Sequence, residues 1–176
     1  YNDVQVIAGQ GTLGLELLEQ SRQLSQIKSI LVPIGGGGLL SGIGVTLETV
    51  EQKPKLIGVQ SEASSYIYSI YYKGTQTGVV ELESLADGLS GEVDHQSVTI
   101  PLVDKYADEI RLVSEEDIKE AIRYAWQKHH QVIEGSGAVS LAAVLKQKPV
   151  VSPALVIITG GNIQPEIHRE IIGNLN

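Results

Sequence analysis

Short apolar runs and longer striped segments alternate along the chain. The runs Ser29 to Ile34, Lys55 to Gln60 and Ala154 to Ile158 have the length of buried strands, so each predicts a strand. A weaker run, Ser97 to Val103, is interpreted as a further strand. Roughly 20 residues separate the first two runs, which is enough for a helix that connects parallel neighbours.

The striped segments, with apolar residues three or four positions apart, predict helices. The clearest stripe lies between Ile118 and Trp126, and Ser114 and Asp117 form a near capping box in front of it. The predicted helices are Gly9 to Gln20 with Thr12 as its cap, Leu39 to Glu51, Ser64 to Tyr72 ending at Gly74, Glu115 to Gln131, and Ala138 to Gln147. After the last strand a short amphipathic tail leads to Asn176, so no regulatory domain is expected.

This alternation of strands and helices predicts an α/β fold with a mostly parallel sheet flanked by helices. With 176 residues, 42% of them hydrophobic, the chain suits a single domain with a substantial core. The longest apolar runs fall far short of the roughly 20 residues of a membrane span. We therefore expect no membrane partner.

Charge and cysteine content exclude further classes of function. The formal net charge is -8, and the 13 Lys and Arg residues are scattered along the chain. Nucleic-acid binding needs clustered positive charge to neutralise phosphates, so no nucleic-acid partner is expected. The absence of cysteine excludes disulfides and thiolate metal sites, and it is compatible with a cytoplasmic protein.

Four consecutive glycines, Gly35 to Gly38, join the first predicted strand to the helix after it. Successive backbone N–H groups without side chains can close around an anion, and the positive end of the helix dipole lies beside them. The loop therefore predicts a phosphate site. Its spacing matches neither the dinucleotide fingerprint nor a nucleotide P-loop, so a different phosphate ligand is implied. The alternative is a tightly turned connector without a ligand.

A second glycine cluster follows the last predicted strand, in Thr159 to Asn162. Thr159 places a hydroxyl at the strand end, and the two glycines after it let the backbone approach a flat ring closely. In open parallel sheets, ligands bind outside the carboxyl ends of the strands, where both glycine clusters are expected. Taken alone, this segment is more typical of a strand that ends in a turn.

Five segments resemble, in this order, the C-terminal motifs of fold-type-II pyridoxal-phosphate (PLP) enzymes. They are Ala8 to Thr12, Gly35 to Leu39, Leu85 to Leu89, Glu134 to Ala138 and Thr159 to Asn162, and they extend over essentially the whole chain. Four glycines followed by leucine are similar to the threonine/serine dehydratase and serine racemase branch rather than to the cysteine-synthase branch. The resemblance implies that residues 1–176 form the C-terminal part of the PLP-binding large domain.

The resemblance also assigns a role in cofactor binding to particular residues. The backbone of the glycine loop would bind the PLP phosphate, and the Thr159 hydroxyl would hydrogen-bond the pyridine nitrogen. Gly88 and Glu134 would line the face or edge of the ring; alternatively, Glu134 is a solvated carboxylate at a helix N-terminus. The implied cofactor-binding residues are Gly35, Gly36, Gly37, Gly38, Leu39, Gly88, Glu134 and Thr159.

A PLP-dependent ammonia-lyase, which converts threonine or serine to a 2-oxo acid and ammonia, is the implied activity. A serine racemase-like enzyme is the alternative within the family, because both reactions begin with removal of the α-proton. An alternative of another class is a non-catalytic phosphate-binding or assembly domain. Family members are commonly dimers, so a homodimer is expected, and Tyr66, Tyr68, Tyr71 and Tyr72 are candidates for an interface or for core packing.

Two essential features of the family are absent from these residues. The family's Schiff-base lysine lies in a Ser-x-Lys-x-Arg segment, and none of the nine lysines here has that context. The family's loop for the substrate carboxylate is absent as well. We therefore assign no catalytic residue to the chain and expect it to be inactive alone.

A metal site is also not expected. Some relatives bind a divalent cation through a Glu and an Asp where this sequence has Gln60 and Tyr66, although Glu62 is close in sequence. The histidines do not supply one, because His129 and His130 are adjacent on a predicted helix and diverge, and the other two are isolated in sequence. We predict no bound metal.

Overall fold

The residues described by the computed structural model, 1–20, 26–146 and 150–173, form a four-stranded parallel sheet. Its strands are β1 (Ser29–Pro33), β2 (Lys55–Ser61), β3 (Glu109–Val113) and β4 (Ala154–Val156), in the spatial order β3-β2-β1-β4. The registers align Leu31 of β1 with Ile57 of β2 and with Val156 of β4. The predictions of β1, β2 and β4 are confirmed.

Helices cover both faces of the sheet. They are α1 (Val4–Gln20), α2 (Gly38–Leu47), α3 (Tyr66–Lys73), α4 (Thr99–Tyr106), α5 (Glu115–His129), α6 (Gly135–Leu145) and α7 (Pro165–Ile172), with short 3₁₀ turns at Glu62–Ser64 and Asp87–Leu89. This arrangement confirms the predicted α/β fold. None of these described helices has both the length and the apolar composition that crossing a membrane requires. Gln147 and Asn176, where two predicted segments end, lie outside the described residues.

The sheet separates two hydrophobic cores, because the side chains of a strand alternate between its faces. Ile30 and Val32 of β1 belong to the core under α2, α3 and α4, whereas Leu31 belongs to the core under α5, α6 and α7. All three side chains are fully buried. A strand that is covered on both faces needs the continuous apolar run that the sequence shows.

Helix α5 begins at the predicted capping box. The Ser114 hydroxyl accepts the N–H of Asp117 at 3.2 Å, and the Asp117 carboxylate accepts the N–H of Ser114 at 2.9 Å. The Lys146 ammonium group forms an ion pair with the same carboxylate at 2.7 Å, which ties the start of α5 to the end of α6. The prediction of this helix is confirmed.

The predicted strand Ser97 to Val103 is wrong, because most of this segment lies in α4. Thr99 and Val103 are both buried and stand four positions apart, which places them on one face of a helix. Pro101 lies in the first turn, where a missing N–H removes no intrahelical bond. The strand beside β2 is instead β3, whose apolar pattern is interrupted by an ion pair between Glu109 and Arg111 at 2.8 Å.

Helix α1 begins at Val4, ahead of the predicted start at Gly9, and Thr12 is not its cap. The Asp3 carboxylate accepts the N–H of Gln5 at 2.8 Å and so satisfies a donor of the first turn. The Thr12 hydroxyl instead donates to the Gly9 carbonyl at 2.7 Å, within the helix. The glycines of this segment are thus inside the helix rather than in a turn before it.

Candidate functional site

Strands β1 and β4 end side by side at one edge of the sheet. They are parallel neighbours, and the N–H of Ile157 donates to the Leu31 carbonyl at 2.9 Å. Adjacent strands lie about 4.8 Å apart. The glycine loop (residues 35–38) follows β1 and the threonine loop (residues 159–162) follows β4, so the two loops leave the sheet next to each other.

The glycine loop has a backbone conformation and surroundings that exclude side chains. Gly37 has φ 91° and ψ -4°, in the left-handed region, and it caps the N-terminus of α2. A Cβ at Gly37 would lie 2.8 Å from Cγ2 of Val103, and a Cβ at Gly35 would lie 3.0 Å from Cα of Leu89. The loop is thus enclosed by α4 and by the turn Asp87–Leu89.

Tyr1 covers another part of the glycine loop. A Cβ at Gly36 would collide with the Tyr1 ring, and a Cβ at Gly38 would lie 3.1 Å from the Tyr1 carbonyl oxygen. The Tyr1 hydroxyl accepts the N–H of Asp94 at 3.1 Å, which fixes the ring in place. Each of the four glycines therefore has a neighbour at the position where a side chain would begin.

The backbone amides of this loop are available to a ligand. The N–H of Ser41 donates to the Gly37 carbonyl at 2.9 Å and is the first amide of α2 with a backbone partner. Within the described ranges, nothing accepts a hydrogen bond from the amides between Gly35 and Leu39. The first turn of α2 also contains no acidic residue. These donors and the helix dipole together favour a bound anion.

The turn around Gly88 lies against the first turn of α6, which begins at Gly135, ahead of the predicted start at Ala138. A Cβ at Gly88 would be 2.9 Å from the Ser136 hydroxyl oxygen, and a Cβ at Gly135 would collide with the Leu85 carbonyl. The Ser136 hydroxyl is buried and has no hydrogen-bond partner among the described residues. Gly88 itself is exposed, so its backbone is accessible to a ligand.

Glu134 stands immediately before α6, at the helix entrance as predicted, and its carboxylate contacts the threonine loop. Its Oε2 accepts the N–H of Asn162 at 2.9 Å, and its own N–H donates to the Gly160 carbonyl at 3.3 Å. Gly160 has φ 101°, and a Cβ there would lie 2.5 Å from Oε1 of Glu134. Glu134 therefore holds the loop that carries Thr159. Sequence reasoning missed this contact, because it joins residues 28 positions apart.

The Thr159 side chain lies just beyond β4, next to α6. A Cβ at Gly137 would be 2.9 Å from the Thr159 carbonyl oxygen, so the first turn of α6 packs directly on this backbone. The Thr159 residue is half-buried, and its hydroxyl has no hydrogen-bond partner in the described part of the chain. A neutral group that can donate or accept is thus available to a ligand atom.

One predicted motif, residues 8–12, packs against the middle of α2. It belongs to α1, which packs closely on α2, since a Cβ at Gly42 would lie 2.6 Å from the amide nitrogen of Gly11. The Thr46 hydroxyl donates to the Gly11 carbonyl across the same contact at 3.1 Å. Gln10 is exposed. The small residues of this motif therefore serve helix packing.

The positions considered for a metal take part in packing. Gln60 is buried, and its Oε1 accepts the N–H of Tyr68 at 3.1 Å. Tyr66 is also buried in the core, and burial raises the pKa of its hydroxyl. Tyr68 and Tyr71 pack against the same core, which favours core packing over an interface for this part of the tyrosine group. The absence of a metal stays a prediction.

The site suits a phosphorylated planar heterocycle. Neutral N–H groups at a helix N-terminus can hold a phosphate ester, and a neutral hydroxyl at the neighbouring strand end can meet a ring nitrogen. PLP has both a phosphate ester and a pyridine nitrogen, and the amides of the glycine loop and the Thr159 hydroxyl, which have no partners among the described residues, can meet these two groups. By this test the residues fit the cofactor. The individual contacts assigned from the sequence stay predictions.

Comparisons with known proteins agree with this fit. A family model described as pyridoxal-phosphate dependent enzyme matches residues 1–160. The L-threonine ammonia-lyase of Thermotoga maritima is 39% identical over 173 residues, which cover 98% of this chain and 42% of that protein. The catabolic L-threonine dehydratase of Escherichia coli K12 is 36% identical over 178 residues, with coverages of 98% and 53%.

Solved structures of the same kind share the fold. The crystal structure of serine racemase from Dictyostelium discoideum matches with a TM-score of 0.80 and 35% sequence identity, over 93% of this chain and 52% of that one. The chain spans about half the length of the curated relatives it matches.

Proposed function

Because the chain belongs to the pyridoxal-phosphate-dependent enzyme family, we propose that it forms part of an ammonia-lyase acting on L-threonine or L-serine. The reaction is a β-elimination that yields a 2-oxo acid and ammonia. The observation that carries the proposal is the glycine loop, with its available amides, beside the Thr159 hydroxyl at the carboxyl ends of β1 and β4. The similar threonine lyases support the choice of substrate.

In this proposal the phosphate of PLP is held by main-chain N–H groups of residues 35–39, which are Gly35, Gly36, Gly37, Gly38 and Leu39. The anion sits at the positive end of α2 and is anchored without a cation. When bound, PLP supplies the sink for the electron pair left at the α-carbon of the substrate.

Thr159 positions the other end of the cofactor by a hydrogen bond between its hydroxyl and the pyridine nitrogen. A hydroxyl can donate to an unprotonated nitrogen, whereas a carboxylate in its place would stabilise a proton there. The neutral partner therefore keeps the electron sink weak. A weak sink favours prompt departure of the β-hydroxyl, which is the step that elimination requires.

Gly88 and Glu134 complete the proposed site. The exposed backbone at Gly88 lets a planar ring approach closely, because no side chain projects from it. Glu134 acts on the ring indirectly, since its carboxylate binds the N–H of Asn162 in the loop that begins with Thr159. Its contribution is to fix the position of the Thr159 hydroxyl.

We assign residues 1–176 to the C-terminal part of a PLP-binding large domain. None of the nine lysines stands in a Ser-x-Lys-x-Arg context, and the matched part is about half of each relative. The covalent lysine and the loop for the substrate carboxylate then come from outside these residues, and the chain alone is inactive.

A second copy of the protein is its proposed macromolecular partner, in keeping with the resemblance to dimeric enzymes. The net charge of -8 supports the absence of a nucleic-acid partner, and the apolar runs support the absence of a membrane partner. The lack of cysteine supports a cytoplasmic location.

A serine racemase-like activity is the second candidate, favoured by the similarity to a serine racemase structure. Both reactions remove the α-proton; elimination then expels the β-hydroxyl, whereas racemisation returns a proton to the opposite face. Incubation of the full-length enzyme with L-serine distinguishes them. Pyruvate and ammonia as the main products support the lyase, and D-serine as the main product supports the racemase.

Ligand binding to the chain tests the proposal directly. Pyridoxine 5′-phosphate and pyridoxine differ only in the phosphate, and neither needs a lysine to bind. Isothermal titration calorimetry should show the phosphate ester binding at least about tenfold more tightly, since charge-assisted hydrogen bonds contribute roughly 1.5–3 kcal/mol each. Equal affinity would favour the non-catalytic assembly domain. Steady formation of 2-oxobutyrate from threonine and PLP by the chain alone would refute the assignment of the lysine to another part.

A further inference from the structure

The carbonyl of Gly36, in the middle of the glycine loop, is held by a buried side chain of α4. The Thr99 hydroxyl donates to this carbonyl at 2.6 Å, and Thr99 is 0% exposed. The two residues are 63 positions apart in sequence. The contact therefore depends on the fold and not on local geometry of the loop.

This hydrogen bond sets the orientation of a peptide group. The peptide between Gly36 and Gly37 is planar and trans, so its N–H points opposite to its C=O. Because Thr99 holds the carbonyl toward α4, the N–H of Gly37 is directed away from α4. Glycine has no Cβ to select one peptide orientation, so a contact from outside the loop must select it.

The Thr99 hydroxyl also contacts the hydroxyl of Ser97. The Gly36 carbonyl can only accept, so the single hydroxyl proton of Thr99 is used in that bond. The Ser97 hydroxyl lies 2.6 Å from the Thr99 hydroxyl and 3.0 Å from the Asn2 side-chain oxygen, and either oxygen can accept its single proton. When the Ser97 proton points to Thr99, a chain of donors from Ser97 to Thr99 to Gly36 strengthens the final bond.

Two further contacts keep Thr99 in position. The Asn2 side-chain oxygen accepts the N–H of Val98 at 2.8 Å, which anchors the entrance of α4. A Cβ at Gly37 would lie 3.2 Å from Cβ of Thr99, so the loop and the helix are in direct contact. These contacts hold the Thr99 hydroxyl in a fixed position relative to the glycine loop.

We propose that Thr99 is a positioning residue of the phosphate site, whose hydroxyl orients the Gly36–Gly37 peptide so that the Gly37 N–H faces the phosphate. This inference rests on the proposed function, because it assumes that the glycine loop binds the phosphate of PLP. Thr99 does not touch the ligand. Its effect is specific to the phosphate end and leaves the contacts of the ring unchanged.

Variants of Thr99 test the proposal through ligand affinity rather than enzyme activity. Thr99→Val removes the hydroxyl and keeps the shape, and Thr99→Ser keeps the hydroxyl. Thr46→Val is the matched control, because the Thr46 hydroxyl also donates to glycine carbonyls, those of Gly11 and Gly42, both at 3.1 Å, but between α1 and α2. Calorimetry would give the affinities of all four chains for pyridoxine 5′-phosphate and for pyridoxine.

The expected result is a selective loss. Thr99→Val should weaken the binding of pyridoxine 5′-phosphate by on the order of tenfold, the equivalent of one hydrogen bond, while pyridoxine binding stays unchanged. Thr99→Ser should restore most of the affinity, and Thr46→Val should retain it. If Thr99→Val does not fold, Ser97→Ala serves as the test variant. It should bind pyridoxine 5′-phosphate more weakly by a smaller factor, and its affinity for pyridoxine should stay unchanged.

Two different outcomes separate the inference from the function on which it rests. An unsubstituted chain that binds both ligands equally overturns the proposed function and this inference with it. A chain that prefers the phosphate ester, with Thr99→Val showing the same preference, overturns the inference alone. Equal weakening of both ligands by Thr99→Val also overturns it, because that result indicates a general loss of structure.

Discussion

The carboxylate of Glu134 accepts the backbone N–H of Asn162 at 2.9 Å, which joins the start of α6 to the loop beyond β4. Gly160 lies between them with φ 101°, so the loop bends tightly around the carboxylate. The Thr159 hydroxyl precedes this bend. The position of a proposed cofactor contact therefore depends on a residue that precedes it by 25 positions in sequence.

Replacement of Glu134 by Ala should loosen the threonine loop. The loss of one hydrogen bond that a solvent-accessible carboxylate accepts should lower the free energy of unfolding by about 1 kcal/mol. Amide exchange at Asn162 should become faster, as measured by NMR. Glu134→Gln should behave almost like the unsubstituted chain, because the amide oxygen still accepts. Glu166→Gln, at an exposed ion pair with Arg169, is the control and should leave exchange at Asn162 unaltered.

Replacement of Gly37 by Ala should destabilise the chain for two separable reasons. Its φ of 91° disfavours any side chain, and a Cβ would lie 2.8 Å from Cγ2 of Val103. Gly78→Ala isolates the first reason, because Gly78 has φ 84° and open space around the added Cβ. Backbone strain should cost about 1–2 kcal/mol in both variants.

Urea denaturation measures the difference between these two glycine variants. Gly37→Ala should lose at least about 1 kcal/mol more than Gly78→Ala, because crowding in a packed region adds to the strain. It should also abolish the preference for pyridoxine 5′-phosphate. Equal free energies of unfolding for the two variants would show that Val103 moves aside without loss of stability and that the loop is not tightly enclosed.

The sequence predicts those elements whose residues carry their own signal. Strand β1 is an uninterrupted apolar run because both of its faces are covered, and α5 shows a capping box that involves only Ser114 and Asp117. Strand β3 lacks such a signal, since Glu109 and Arg111 place charge within a strand of five residues. The sequence around Thr99 favours a strand, because α4 has only eight residues and its helical periodicity extends over less than three turns.

The candidate site also contains parts that the sequence predicts and parts that it does not. The glycine loop and Thr159 could be placed together from the sequence, because parallel strands end at the same edge and glycine clusters mark both ends. The contacts of Glu134 with Asn162 and of Thr99 with Gly36 could not be predicted. Each contact joins residues far apart in sequence. In each, the side chain binds a backbone group, which nearly every residue type has, so the sequence does not indicate the partner.

Substitution of Thr159 should change the ionisation of a bound ligand ring. A hydroxyl leaves the pyridine nitrogen free to lose its proton, whereas the carboxylate of Thr159→Asp would stabilise the protonated form. The pKa of the ring nitrogen in bound pyridoxine 5′-phosphate should therefore rise in Thr159→Asp, as followed by ultraviolet absorbance against pH. Thr159→Ser should titrate like the unsubstituted chain. An unchanged pKa in the Asp variant would place the nitrogen away from residue 159.

The ion pair between Asp117 and Lys146 should make stability depend on acid pH. Burial acts to raise the pKa of Asp117, but hydrogen bonds from Lys146 and Ser114 outweigh it and hold this pKa below the ordinary value of 3.8. A carboxylate with a depressed pKa in the folded state contributes stability that is present above the unfolded pKa and is lost as pH falls through the folded value. The contribution is therefore complete near pH 7 and declines below about pH 4.

Asp117→Asn tests this dependence, because it removes the charge and keeps an oxygen that can accept the N–H of Ser114. At pH 7 the variant should be less stable by about 1 kcal/mol, a modest value because both partners are partly exposed. The difference in urea midpoint between the two chains should narrow as the pH falls from 5 to 2, since protonation removes the ion pair from the unsubstituted chain as well. A difference that stays constant over this range would mean that Asp117 contributes only through the cap of α5.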